Sequence, residues 1–195
     1  MYEYEAALPR SSEELRLRVF RAMGTRRYLH TLGVEREATR LAQRFGLNVD
    51  HAQKAGLLHD ITKCAENQLH LCSQYDIIPT MLEETAPKLL HAHTGAAIAR
   101  QWGMPEEVCS AIRWHTTGRA GMSELEKVLY LADFVEPFRE DIPGLRELRA
   151  ILENNGLDHA MARALALTIG FTLKKKRALL HPASVEALND YRARL

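Results

Sequence analysis

The segment Ala55-Gly56-Leu57-Leu58-His59-Asp60-Ile61-Thr62-Lys63 joins an apolar helical run to an adjacent pair of ionisable residues. Burying an imidazole and a carboxylate is costly unless a partner satisfies both groups. Together they are a natural set of ligands for a divalent first-row metal. For a lone His59-Asp60 pair, the simpler interpretation is a partly exposed helix end with a hydrogen-bonded histidine.

Helical periodicity surrounds this segment on both sides. Ser11 with Glu14 and Ser123 with Glu126 have the spacing of capping boxes, which open helices. Gly24 is placed to end a first helix, and a longer second helix is predicted from about residue 25 to 45. Further helices are predicted at 48–58, 66–75, 79–84, 88–102, 105–115, 123–135, 144–153, 157–176 and 183–193. Because alternating apolar runs are missing, the sequence predicts a single compact all-α bundle.

The composition limits the classes of function. A chain of 195 residues fits one domain, and its net charge of +1 does not favour a nucleic acid or an anionic membrane as partner. Three cysteines (Cys64, Cys72 and Cys109) are too few for a disulfide framework, which favours a reducing, cytoplasmic setting. We also expect no targeting segment and no membrane-spanning helix.

Two more ionisable residues interrupt helical patterns elsewhere in the chain. His30 lies within the second predicted helix, and Asp133 interrupts the apolar run 128–135. Taken singly, His30 is more simply a satisfied core histidine, and Asp133 could pair with an arginine. In the order His30, His59-Asp60, Asp133, the four residues resemble the ligands of the HD-domain metal-dependent phosphohydrolases.

The resemblance is closest to the YqeK family of this superfamily, and it extends in order from about residue 25 to residue 190. The matching blocks are residues 30–34 (HTLGV), 55–63 (AGLLHDITK), 89–96 (LLHAHTGA), 112–118 (IRWHTTG), 130–139 (YLADFVEPFR) and 157–160 (LDHA). This resemblance implies an HD-domain helical bundle over residues 25–195, with C-terminal helices that close the site. Residues 1–24 are then an N-terminal helical extension.

The resemblance also implies the residues of the site. The metal ligands would be His30, His59, Asp60 and Asp133, and the metal would be divalent or trivalent: iron, with manganese or cobalt as alternatives. Asp60, Lys63, His91 and His115 would be catalytic. Several residues would contact the substrate: Arg27, Asp60, Lys63, His91, His115, Thr116, Asp133, Arg139 and His181. His91 and His115 could instead complete a second metal site, although we favour contact with phosphate.

Spacing alone supports only a metal-dependent hydrolase of phosphoesters or phosphoanhydrides. The resemblance implies the substrate, the dinucleoside polyphosphate diadenosine tetraphosphate, which would be cleaved symmetrically to ADP. The alternatives are an HD phosphohydrolase that acts on nucleoside monophosphates or cyclic nucleotides, and an ADP-binding regulatory module without turnover. A homodimer is plausible from the family, although no sequence feature identifies an interface.

Overall fold

The first helix begins at the predicted cap Ser11, whose side chain accepts a hydrogen bond from the backbone N–H of Glu14. In the computed structural model, which describes residues 4, 7–9, 11–139, 142–176 and 179–195, this helix (α1) covers Ser12–Phe45. Gly24 bends it with a φ of 69°, a left-handed conformation that glycine adopts at little cost. The two predicted N-terminal helices are therefore two arms of α1, separated by the non-helical backbone of Gly24 as the sequence predicts.

The remaining elements are also helical. They are α2 (Val49–Leu58), α3 (Gln68–Gln74), α4 (Met81–Thr85), a 3₁₀ turn (Pro87–Leu90), α5 (His91–Gln101), α6 (Glu106–Trp114), α7 (Glu124–Val135), α8 (Leu145–Asn155), α9 (Leu157–Leu173) and α10 (Pro182–Ala193). Across the described ranges there is no β-strand, and the predicted all-α class is confirmed. None of the helices placed in the structure has the length and apolar character needed to cross a membrane.

Helices α1, α2 and α7 form the part of the bundle that carries the site. Helix α1 packs against both α2 and α7, and α7 also contacts α6 and α9. Helix α2 approaches α1 closely at Gly56, where an added Cβ would lie only 2.7 Å from the Cα of Glu35. Apolar side chains of α7, among them Leu129 and Leu131, are fully buried. The core therefore fixes the ends of these helices relative to one another.

The arm of α1 before Gly24 packs against the same core. Leu15, Val19 and Met23 are buried, and the Thr31 hydroxyl donates to the Met23 sulfur at 3.3 Å across the bend. The division of the chain into an extension of residues 1–24 and an HD domain from residue 25 stays a prediction.

Candidate active site

Side chains from three helices meet at one point inside the bundle. His30 lies on α1, His59 and Asp60 directly follow α2, and Asp133 lies near the end of α7. The Nε2 atom of His30 is 3.1 Å from Oδ1 of Asp133, and Nε2 of His59 is 3.4 Å from Oδ2 of Asp60. The structure thus brings together all four residues proposed as metal ligands.

A second group of side chains shares Asp60 with the first. The Oδ1 atom of Asp60 lies 3.1 Å from Nε2 of His91 and 3.5 Å from Nε2 of His115. The Lys63 ammonium is 3.0 Å from the same His91 nitrogen, and the Thr116 hydroxyl is 3.1 Å from His115 Nε2. Each oxygen of Asp60 therefore faces a different set of ligands and donors, and His91, His115 and Asp60 could also hold a cation.

Backbone carbonyls orient three of the imidazole rings. The Nδ1 atoms of His59, His91 and His115 lie 2.8, 2.5 and 2.7 Å from the carbonyl oxygens of Gly56, Lys88 and Ile112, each three residues earlier. Because a carbonyl only accepts, each Nδ1 carries a proton, so in the neutral ring it is Nε2 that presents a lone pair to the centre. These histidines stand where helical segments end, so carbonyls without an intrahelical partner are available.

Buried ligand atoms without hydrogen-bond partners indicate that these residues fit a metal ion. Among the residues that the structure describes, three buried site atoms lack a hydrogen-bond partner: His30 Nε2, His59 Nε2 and Asp60 Oδ1. All three are electron-pair donors around Asp60: the two imidazole nitrogens lie near its Oδ2, and its Oδ1 faces His91 and His115. His30, His59 and Asp60 also offer ligand atoms within 4.8 Å of one another. Buried polar groups are normally satisfied, so this arrangement fits a cation.

The electrostatics of the site also favour a positive charge there. Burial raises the pKa of Asp60, but the neighbouring His59 and the other imidazoles lower it well below its usual range. The pKa of Asp133 is likewise lowered, because His30, His59 and Arg139 outweigh burial. Burial lowers the pKa of His59, yet Asp60 and Asp133 produce a net upward shift. Two ionised carboxylates thus stabilise a cation between them.

The centre opens on one side into a cleft of about 820 Å³. The side chain of His59 is fully buried, whereas those of His30 and Asp133 are 17% and 25% exposed. The centre therefore opens at His30 and Asp133. The lining residues include Met23, Arg26, Arg27, His30, Phe138 and Arg139. Arg27 Nη1 reaches Oδ2 of Asp60 at 2.9 Å, and Arg139 Nη2 reaches Oδ1 of Asp133 at 3.1 Å.

Comparison with known proteins agrees with this geometry. The HD domain family model matches residues 27–137. A Bacillus subtilis protein named symmetrical bis(5'-nucleosyl)-tetraphosphatase is 38% identical over 154 residues, which cover 77% of this chain and 82% of that protein. This chain belongs to the YqeK branch of the HD domain family.

Two further HD domain relatives support the assignment. A Staphylococcus aureus protein with the same name is 32% identical over 171 residues, covering 85% of this chain and 87% of its own length. A Clostridium acetobutylicum crystal structure, described as an HD superfamily hydrolase involved in NAD metabolism, superimposes with a TM-score of 0.89 and 33% identity. The match covers 95% of this chain and 98% of that one.

One residue proposed for this HD domain site has other contacts. His181 caps α10, where its Nδ1 accepts a hydrogen bond from the Ala183 N–H, and its Nε2 lies 3.6 Å from Oε1 of Glu83. His93, two residues after His91 on α5, also contacts Glu83, at 2.6 Å, and so points away from the centre. Substrate contact by His181 therefore stays a prediction.

Sequence reasoning missed Glu136, whose Oε1 lies 3.2 Å from Nδ1 of His30. The available signal was its place in the matching block 130–139, three residues after Asp133 and directly past the end of α7.

Proposed function

We propose that this chain hydrolyses diadenosine tetraphosphate symmetrically, adding one water across the central phosphoanhydride bond to give two molecules of ADP. The observation that carries the proposal is the convergence of unpartnered ligand atoms of His30, His59 and Asp60 beside a cleft lined by cations. The names of the relatives support this substrate. The bound molecule would be a dinucleoside polyphosphate, and no nucleic acid is required.

The proposed metal ligands are His30, His59, Asp60 and Asp133. Mixed nitrogen and oxygen donors suit first-row metals, and we propose iron, with manganese or cobalt as alternatives. When bound, such an ion supplies Lewis-acid chemistry, because it makes water more acidic and polarises the attacked phosphate. A metal-to-protein ratio near one supports this single ion, whereas a ratio near two assigns a second ion to Asp60, His91 and His115.

The other side chains would bind and orient the polyphosphate from both sides of Asp60. Arg27 and Arg139 at the cleft would hold phosphate oxygens by charge-assisted hydrogen bonds. Lys63 and Thr116 offer donors on the opposite side, beside Oδ1 of Asp60. This two-sided arrangement fits cleavage at the middle of a symmetrical chain of phosphates.

His91 and His115 would transfer protons to or from the leaving group. Because Nδ1 of each ring donates to a carbonyl, Nε2 is the atom at which either ring takes up or gives up a proton. Asp60, whose Oδ1 has no hydrogen-bond partner among the described residues, would accept a hydrogen bond from the attacking water and orient it. His181 would close the site from the start of α10.

Product identification tests the proposed function. Protein loaded with Fe²⁺, Mn²⁺ or Co²⁺ is incubated with diadenosine tetraphosphate, and the nucleotides are separated by ion-exchange chromatography. ADP as the sole product is expected, whereas ATP plus AMP contradicts symmetrical cleavage. Hydrolysis of nucleoside monophosphates or cyclic nucleotides alone supports the first alternative. Tight ADP binding without turnover supports a regulatory module. An Asp60→Ala preparation made in parallel excludes a contaminating hydrolase.

We further propose that the protein works in the cytoplasm, supported by its three free thiols, Cys64, Cys72 and Cys109. We also propose that the protein forms a homodimer and that residues 25–195 make up the catalytic domain. Light scattering and activity of a chain that lacks residues 1–24 test these two points.

A further inference from the structure

We infer that Glu136 is a positioning residue, which fixes the ring of His30 and the turn that carries Arg139, and that Gly33 provides the space for its carboxylate. This inference rests on the proposed metal centre, in which His30 is a ligand.

His30 needs a partner from another helix because of where it lies. The other three site histidines donate Nδ1–H to carbonyls at the ends of helical segments. His30 lies inside the continuous arm of α1, where carbonyls are already used by the helix. Oε1 of Glu136, 3.2 Å from its Nδ1, supplies the missing acceptor. A carboxylate in this position fixes the tautomer and makes Nε2 a stronger ligand.

The second oxygen of Glu136 binds the backbone of the turn that lines the cleft. Its Oε2 accepts a hydrogen bond of 2.6 Å from the Phe138 N–H, and its backbone carbonyl accepts from the Arg139 N–H at 3.2 Å. Arg139 in turn donates to the carbonyl and the carboxylate of Asp133. The buried Glu136 carboxylate therefore links His30 to the turn that lines the cleft, and Arg139 of that turn contacts Asp133.

The Glu136 carboxylate explains why residue 33 is a glycine. It lies one helical turn after His30, and a Cβ built there would be 2.4 Å from Oε2 of Glu136 and 3.0 Å from Cδ2 of Phe138. Its backbone is ordinary helix, so no positive φ requires glycine. Glycine weakens a helix interior, and the space that Glu136 occupies is the compensating gain.

Cobalt affinity tests the role of Glu136 without an activity assay. Co²⁺ binding is measured by competition with a chelating dye, and the visible spectrum of bound Co²⁺ reports its coordination. Glu136→Ala is expected to weaken binding about 10- to 100-fold. Glu136→Gln keeps an acceptor for His30 Nδ1–H, so its Co²⁺ affinity should fall less than that of Glu136→Ala. The matched control is Glu126→Ala, which removes a buried glutamate inside α7 that accepts hydrogen bonds from Ser110 and Ser123, and should lower Tm without changing Co²⁺ affinity.

Gly33→Ala supplies an independent test, because it displaces the carboxylate instead of removing it. We expect a similar loss of affinity, and the double variant Gly33→Ala/Glu136→Ala should be no weaker than Glu136→Ala alone, since the clash is gone. The inference would be overturned if Glu136→Ala bound Co²⁺ as tightly as the wild type. It would also be overturned if the losses of Co²⁺ affinity from the two single substitutions added up in the double variant. Wild-type protein without Co²⁺ binding would overturn the metal centre as well. Co²⁺ binding that responds to Glu136 without dinucleotide hydrolysis would contradict only the proposed substrate.

Discussion

Nη1 of Arg27 lies 2.9 Å from Oδ2 of Asp60, so a cation of the cleft directly contacts the central carboxylate of the proposed metal site. The Asp60 side chain is almost fully buried, whereas about a third of the Arg27 side chain is exposed. Within the described part of the chain, Asp60 is the hydrogen-bond partner of this guanidinium, so its other donors are available toward the cleft. This arrangement prepares Arg27 to bind a phosphate oxygen next to the metal.

Replacing Arg27 should weaken substrate binding more than metal binding. We expect Arg27→Ala to lower kcat/KM for diadenosine tetraphosphate about 10- to 100-fold, because a hydrogen bond to a charged group contributes about 1.5–3 kcal/mol. Steady-state kinetics with metal analysis of the same preparation checks this. Arg40→Ala is the control, since Arg40 on the same helix pairs with Glu37 and Glu153. Loss of metal in Arg27→Ala would assign the residue to the metal centre instead.

Metal binding should stabilise the fold through Asp60. At a Co²⁺ concentration of about 100 Kd, linkage predicts about 2.7 kcal/mol of added stability, or a rise in Tm of roughly 5–10 °C. Asp60→Ala should lose this rise and the activity while it keeps the helical circular dichroism spectrum. Asp50→Ala, which removes an exposed aspartate paired with Lys54, should keep both. An active, metal-stabilised Asp60→Ala protein would refute the ligand assignment.

Helix ends could be predicted wherever a side chain or a glycine defines them. Ser123 and Glu126 form the predicted capping box, and the positive φ of Gly24 explains the predicted break. The predicted helix 88–102 is instead a 3₁₀ turn followed by α5, and the helix predicted to reach residue 176 ends at Leu173. Both differences lie at helix ends, where the last turns often tighten to 3₁₀ geometry or fray, and periodicity does not report these details.

The site could be predicted in its residues but not in its supporting contacts. Motif order identified His30, His59, Asp60 and Asp133, which the structure brings together. Arg27, which the resemblance implies as a substrate contact, lines the cleft together with His30. The acceptor for each Nδ1 could not be predicted, because it depends on free carbonyls at helix ends and on Glu136, which approaches from another helix.

Glu83 should make the stability of the protein depend on acid pH. Burial raises its pKa, but the Thr80 backbone N–H and the neighbouring His93 outweigh it and lower the pKa from 4.5 to about 2. A carboxylate with a lowered pKa stabilises the folded state above its unfolded pKa, and this stability is lost as pH falls from about 4.5 toward 2. The shift corresponds to about 3 kcal/mol at neutral pH.

Glu83→Gln should therefore lower the free energy of unfolding at pH 7 and change it little near pH 2. Urea unfolding of both proteins across this range measures the difference. The control is Glu106→Gln, because Glu106 forms an exposed ion pair with Arg100 that should contribute little. An equal loss at pH 7 and pH 2 would mean that the shape of the Glu83 side chain, and not its charge, stabilises α4 against α5.

The close approach of α1 and α2 should make Gly56 intolerant of a side chain. A Cβ at this position would lie 2.7 Å from Cα and 3.0 Å from N of Glu35, both backbone atoms that cannot rotate away. We expect Gly56→Ala to destabilise the protein by about 3 kcal/mol, because α2 must shift away from α1. His59 and Asp60 follow α2 directly, so Co²⁺ affinity should fall as well.

Gly170→Ala is the matched control for this substitution. Gly170 lies inside α9, its φ is not positive, and an added Cβ would meet no heavy atom within 4 Å. Alanine there should stabilise the protein by about 0.5–1 kcal/mol, since it reduces the freedom of the unfolded chain and favours helix. Urea unfolding of the two variants should therefore give changes of opposite sign. A neutral Gly56→Ala would show that α1 and α2 separate easily, and the position of His59 would then need another explanation.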